Sequence, residues 1–144
     1  MTATSTFTEN QVQKPQARPG TNRRLWKTGA VAGVSAAVAT TVCAALAQAA
    51  DVPLKVSGES IPALGFGQLT LVGAILGTIL AVTLSRWARR PRRTFVTTTI
   101  ALTALSIIPD VTADATTATQ VVLALSHVVA AAIVIPALAS RLSD

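Results

Sequence analysis

Four apolar stretches separated by three polar breaks organise this chain. They run from Leu25 to about Ala50, from Ala63 to Leu84, from Thr94 to Ile108 and from Ala115 to Ala139. A helix that crosses a bilayer needs ~20 predominantly apolar residues, with a range of ~17–25. The first, second and fourth stretches meet this. The third is short unless it borrows residues from its flanks, where Arg92 and Arg93 can snorkel. The pattern predicts an all-α integral membrane bundle of four transmembrane helices, at about 25–50, 63–84, 94–108 and 115–139, within a domain spanning 23–142. Residues 1–22 are rich in Thr, Ser, Gln, Asn and Pro without apolar periodicity, and are expected to form a disordered cytoplasmic arm. Pro53, Gly58 and Pro62 break the first loop, Pro91 turns the second, and Pro109 is expected to end the third helix. Pro136 lies inside the fourth and removes one backbone donor.

Charge orients this pattern. Eleven of the twelve Lys and Arg residues sit beside helix ends in three places: Lys14, Arg18, Arg23, Arg24 and Lys27; Arg86, Arg89, Arg90, Arg92 and Arg93; and Arg141. The other two breaks hold only Lys55 and four of the six acids, Asp51, Glu59, Asp110 and Asp114. Lys and Arg are retained on the cytoplasmic side, so both termini and the Arg86–Arg93 connector are expected there, in the cell membrane. Trp26 and Trp87 mark the same interface. The formal net charge is +6. Its bases cap helix ends rather than line one face, and no stacking aromatics are interleaved, so nucleic acid is not the expected partner. The lipid bilayer is.

The first segment admits a second reading. Arg23-Arg24-Leu25-Trp26-Lys27, an Ala/Gly-rich run and Ala47-Gln48-Ala49 also fit a twin-arginine signal with an A-x-A cleavage site. Against it, A-x-A is hard to avoid in so Ala-rich a stretch, and the run is long for a signal core.

Small and polar residues then say how the helices should meet. Gly29, Gly33, Ala37, Thr41, Ala45 and Ala49 recur every four residues in the first segment, and Gly73, Gly77, Ala81 and Ser85 in the second. Both series open with G-x-x-x-G, which lets two backbones approach closely. Packing of the first helix on the second through Gly29, Gly33, Gly73 and Gly77 is the expected use, because the loop between them is short; a homodimer seam is the alternative. In the third segment Thr99, Thr103, Ser106 and Asp110 share one helix face, and in the fourth Thr116, Gln120 and His127 do. Such stripes turn inward in lipid, so helices three and four should pair along a polar seam of Thr99, Thr103, Ser106, Asp110, Gln120 and His127.

His127 is the residue whose chemistry matters most, since ionisable groups at mid-span are uncommon and often functional. It stands thirteen residues beyond Asp114, ~20 Å at 1.5 Å per residue. Counted back from Asp110, the same length reaches Thr97 to Thr99. The expectation is a neutral imidazole bonded to a threonine hydroxyl or a backbone carbonyl, linked to Asp110 only by water through Gln120, Thr103 and Ser106. Asp114 is placed to cap the fourth helix.

The catalytic inventory is thin. H-E-x-x-H, a phosphate-binding Gly loop and a carboxylate cluster within the apolar segments are all missing from the sequence. One histidine cannot supply a bis-histidine haem or a multi-histidine metal site, and Ser126 points ~100° away from His127 on the helix. Cys43 is the single cysteine, which excludes an intrachain disulfide. Catalytic, metal-binding and cofactor residues are therefore not assigned.

Leu25-Trp26-Lys27-Thr28-Gly29, Ile61-Pro62 with Gly65-Phe66, Ala88 to Phe95, Leu102 to Pro109 and Ala113 to Leu142 together resemble a family of small four-span membrane proteins of unknown function, found mainly in high-GC Gram-positive bacteria. The resemblance covers about residues 24–142. It implies that the first helix belongs to the mature domain, and it implies no reaction. The expected function is that of a non-enzymatic integral membrane protein packing against itself or a larger membrane partner. The alternative is a minor transporter or proton-coupled permease using the seam between helices three and four.

Overall fold

The computed structural model describes residues 19–144. Most of the arm expected to be disordered, up to residue 18, lies outside the described residues. Four helices follow: α1 (Pro19–Ala49), α2 (Ala63–Trp87), α3 (Pro91–Thr112) and α4 (Thr117–Ala139). All four are long and apolar enough to cross a membrane. Internal satisfaction of every backbone group is what a bilayer demands, and a helix supplies it within one segment. The chain is an all-α integral membrane bundle.

The third helix is longer than its apolar core. Pro91 opens α3 at the first helical position, where its missing N–H costs nothing, so Arg92 and Arg93 lie in the first turn. Their charge opposes the helix dipole there. The Asp144 side chain offsets this by accepting the Arg93 N–H at 3.1 Å, one of the amides without an intrahelical partner. Contrary to expectation, Pro109 does not end α3, which continues to Thr112. A proline removes one hydrogen bond but leaves its own carbonyl free to accept. The Thr112 hydroxyl donates to the Ile108 carbonyl at 2.9 Å in that last turn.

Between α1 and α2 the expected loop contains a small antiparallel hairpin, β1 (Lys55–Val56) and β2 (Glu59–Ser60), with Lys55 opposite Ser60 and Val56 opposite Glu59. Its two turn residues, Ser57 and Gly58, both have positive φ (53° and 84°), the signature of a type I′ turn. The hairpin is tied down. Ser57 N–H donates to the Asp114 carbonyl at 2.9 Å, and the buried Thr119 hydroxyl donates to the Pro53 carbonyl at 2.6 Å. Thr116, not Asp114, caps α4: its hydroxyl accepts the Thr119 N–H at 3.3 Å. The reason is positional, since α4 starts three residues after Asp114, beyond the reach of a first-turn cap.

α1 packs along α2 and α4, α3 leans on α4, and α2 meets both α3 and α4 more sparingly. Two apolar clusters hold the ends. At the Arg-rich end Leu25, Ala81, Phe95, Leu138, Ala139 and Leu142 are buried together. At the hairpin end Leu54 tucks between Ala44 and Phe66. Phe95 is the one residue of α3 that is fully buried.

The α1–α2 seam is built from small residues, as expected on α1. A Cβ on Gly29 would overlap the Thr78 hydroxyl, and one on Gly33 would stand 2.9 Å from Ala74 Cβ. On α2 the expectation is corrected. The residues that meet α1 are Gly67, Ala74, Thr78 and Ala81, with Gly67 against Thr41. A Cβ on Gly73 would meet nothing within 4 Å, and one on Gly77 only Val134 of α4, at 4.0 Å. Neighbouring positions on a helix differ by about 100°, so a stripe starting at Gly73 and one starting at Ala74 face different partners. The Thr40 and Thr70 hydroxyls add a direct hydrogen bond across the seam at 2.9 Å.

Candidate functional site

α2 and α3 come together at the Arg-rich end, where Phe95 and Ala81 share a buried cluster, and beyond it a cleft of about 620 Å³ opens between them, floored by α4. It extends from Phe66 to Leu80 on α2, fourteen residues, or ~21 Å of helix. Its walls are largely apolar: Leu69, Leu76, Leu102, Leu123 and Ile135, with Gly73 and Gly77 forming a smooth strip on one side. Polar groups gather in its middle, Thr99, Thr103 and Ser106 from α3 and Ser126 and His127 from α4. A largely apolar cavity with a few convergent polar groups is the usual form of a binding site.

The hydroxyls do not reach across it. Thr99, Thr103 and Ser106 donate to the Phe95, Thr99 and Thr103 carbonyls of their own helix at 2.7–2.8 Å. Ser126 donates to Val122 at 2.8 Å. Each hydroxyl keeps acceptor capacity toward the cleft. The predicted seam is therefore divided. Thr99, Thr103, Ser106 and His127 line the cleft, whereas Gln120 leaves it and donates to the Ala113 carbonyl at 3.0 Å in the α3–α4 connector.

Asp110 lies closer to His127 than helical rise predicts. His127 Nδ1 is 2.8 Å from Asp110 Oδ2, with 43% of the His side chain exposed and 12% of the Asp. The two side chains meet directly, without an intervening water chain. Depth is better counted from the Arg-rich end, where Arg93 and Asp144 are joined. Asp110 follows Arg93 by seventeen residues along α3 and His127 precedes the end of α4 at Ala139 by twelve, and the non-helical segment from Ser140 to Asp144 takes up the rest. The connector absorbs the difference, because Ala113 and Thr116 are both extended. Side chains also lean toward the N-terminus of their own helix, which brings an antiparallel pair together.

The expected bond to a backbone carbonyl is present as well: Nδ1 lies 3.2 Å from the Leu123 carbonyl. Two acceptors thus converge on one ring nitrogen that carries at most one proton. The N–H direction favours Leu123, and Asp110 Oδ2, though close, is buried without a hydrogen-bond donor aligned on it. The two side chains are close neighbours without a linear hydrogen bond between them. Such an oxygen has unused acceptor capacity in a place where water is scarce.

Sequence reasoning missed the α2 wall of the cleft and Ser126. The clue to the former was available: two Gly and Ala series on α2, one residue out of step, can serve two partners. Among the described residues, no group of three or more His, Cys, Asp or Glu is placed to hold a metal ion.

Residues 20–144 match the model of a family described as of unknown function, DUF6069. The chain belongs to the DUF6069 family. The match includes all of α2, α3 and α4 and all of α1 after Pro19, so the cleft and the His127–Asp110 contact are features of the DUF6069 domain itself. Neither a curated protein nor a solved structure matches this chain.

Proposed function

We propose that this DUF6069 protein is a non-enzymatic membrane protein that binds the transmembrane helix of a partner in the α2–α3 cleft. The observation that carries this reading is the imbalance within the bundle. α3 has a single buried residue, Phe95, and faces across the cleft a Gly73/Gly77 strip with no neighbour on α2 or α3. A long, apolar, laterally open groove suits an apolar rod, and the small strip admits a backbone at close range. The mid-depth hydroxyls and His127 favour a partner helix that carries a polar group at the same level. We place both termini and the Arg86–Arg93 connector on the cytoplasmic side of the cell membrane, following the Lys/Arg bias.

A photo-reactive residue at Leu102, on the cleft wall, tests this in native membranes. A discrete protein adduct that disappears when Gly73→Leu fills the groove supports the reading. An adduct with a second copy of the chain assigns the groove to self-association. Lipid adducts alone would overturn helix binding.

One observation favours a second reading, a proton-coupled permease: the contact between His127 of α4 and Asp110 near the end of α3, with its unaligned carboxyl oxygen, opening on the cleft through the half-exposed ring. Proton-driven flux in proteoliposomes that falls in His127→Ala would support it. Absence of flux with the wild-type chain would remove it.

A further inference from the structure

A second, smaller groove lies on the outside of the bundle at the Arg-rich end, between α1 and α4. Lys27 and Arg141 stand at its mouth, and Val31, Ala32, Ile133 and Ala137 form its apolar walls, enclosing about 350 Å³. From Arg141 to Ile133 it runs eight residues along the chain, up to ~12 Å. Both cations are exposed, and among the described residues neither has an acidic partner within salt-bridge distance. The nearest acid in sequence, Asp144, has its carboxylate turned to the Arg93 amide on α3. Trp26, half-exposed on the preceding position of α1, sits where a headgroup boundary belongs.

We propose that this groove is a binding site for one anionic glycerophospholipid, its phosphate between Lys27 and Arg141 and the upper part of an acyl chain against Val31, Ala32, Ile133 and Ala137. Charge complementarity and shape support this together. Two cations on different helices converge on one end of an apolar slot that points into the bilayer, which matches the amphipathic shape of a phospholipid. Basic pockets between transmembrane helices are established sites for acidic headgroups. The Arg86–Arg93 cluster carries more charge, but none of its five arginines lines this slot. The site is distinct from the α2–α3 cleft and does not depend on what the cleft binds.

Native mass spectrometry of the full chain, reconstituted in vesicles of equal phosphatidylglycerol and phosphatidylcholine and then released in mild detergent, reads the site directly. One phosphatidylglycerol retained per chain is expected. Lys27→Gln with Arg141→Gln should weaken its retention roughly 30-fold, from about 1 kcal/mol per cation at a membrane surface. Arg89→Gln with Arg90→Gln removes the same charge elsewhere and should leave retention within about twofold. Ala137→Leu keeps both cations but obstructs the slot, and should also reduce retention. Equal losses in the two charge pairs, or unchanged retention in the first pair, would overturn the proposal. Displacement of the lipid by millimolar inorganic phosphate would do so too, by identifying a soluble-anion site instead.

Discussion

The α1–α2 seam and the α2–α3 cleft are built on the same helix from the same kinds of residue, yet one is closed and the other open. In the seam Gly29, Gly33 and Gly67 are each filled by a side chain from the facing helix, and Thr40 and Thr70 are bonded across it. In the cleft Gly73 meets open space, and Thr99, Thr103 and Ser106 are turned back to their own backbone. Small residues thus permit close approach without compelling it. What closes the seam is complementarity: a Thr or Ala opposite each Gly. Opposite Gly73 and Gly77 stand no such partners on α3: Leu102, exposed on the cleft wall, comes within 4 Å of neither.

A few substitutions probe this contrast, beginning with the most disruptive. Gly29→Leu drives a side chain into Thr78 and should destabilise the bundle by about 3 kcal/mol or more, as overpacking does. Reversible unfolding in mixed detergent would show it. A loss under about 1 kcal/mol would mean that the seam is not tightly closed. Next, Asp110→Ala removes one member of the pair that links α3 to α4. Because His127 is nearly half exposed, the expected loss is only about 1–2 kcal/mol, well under that for a fully buried pair. Hydrogen exchange should accelerate first in the outer turns of α3. Thr119→Val keeps the volume but deletes the donor to Pro53 and should cost ~1 kcal/mol. It loosens the hairpin without touching either α2 face, so equal melting of seam and hairpin would argue that they unfold as one unit. Gly73→Leu is the smallest: within about 0.5 kcal/mol of wild type, since surface substitutions away from packed features rarely exceed that. A large loss there would show that the cleft closes in the membrane.

Four spans were legible because the bilayer imposes one dominant constraint on composition, and runs of Ala, Val, Leu and Ile satisfy it visibly. Helix ends were less so. Pro91 and Pro109 read as breaks, but the first is compatible with a helix start and the second costs a single bond, so α3 gained residues at both ends. Thr99, Thr103, Ser106 and His127 all line the cleft, because a shared helix face follows from the 3.6-residue period, a local property. Their partners do not follow from it, because partners depend on how far one helix is slid along another. Asp110 and His127 show this. Their separation is counted from a hairpin with level ends, whereas the connector takes extended backbone at Ala113 and Thr116 around a bend and lets α4 shift relative to α3. Gln120 left the seam for the same reason.

That unequal hairpin bears on the membrane as much as on the protein. Toward the hairpin end α4 continues ten residues from His127, but α3 only two beyond Asp110. The eight-residue difference corresponds to a step of up to ~12 Å. Lipids beside α3 in that leaflet face a helix that stops early, and they must tilt, shorten or let headgroups and water sag into the notch. The distortion costs a fraction of a kcal/mol per Å. Headgroups or water that enter the notch approach the end of α3 that carries the buried Asp110 carboxylate. Bilayer thickness thereby becomes a variable acting on the Asp110–His127 pair: thin, short-chain membranes relieve the mismatch and hydrate the pair, while thick ones press upon it.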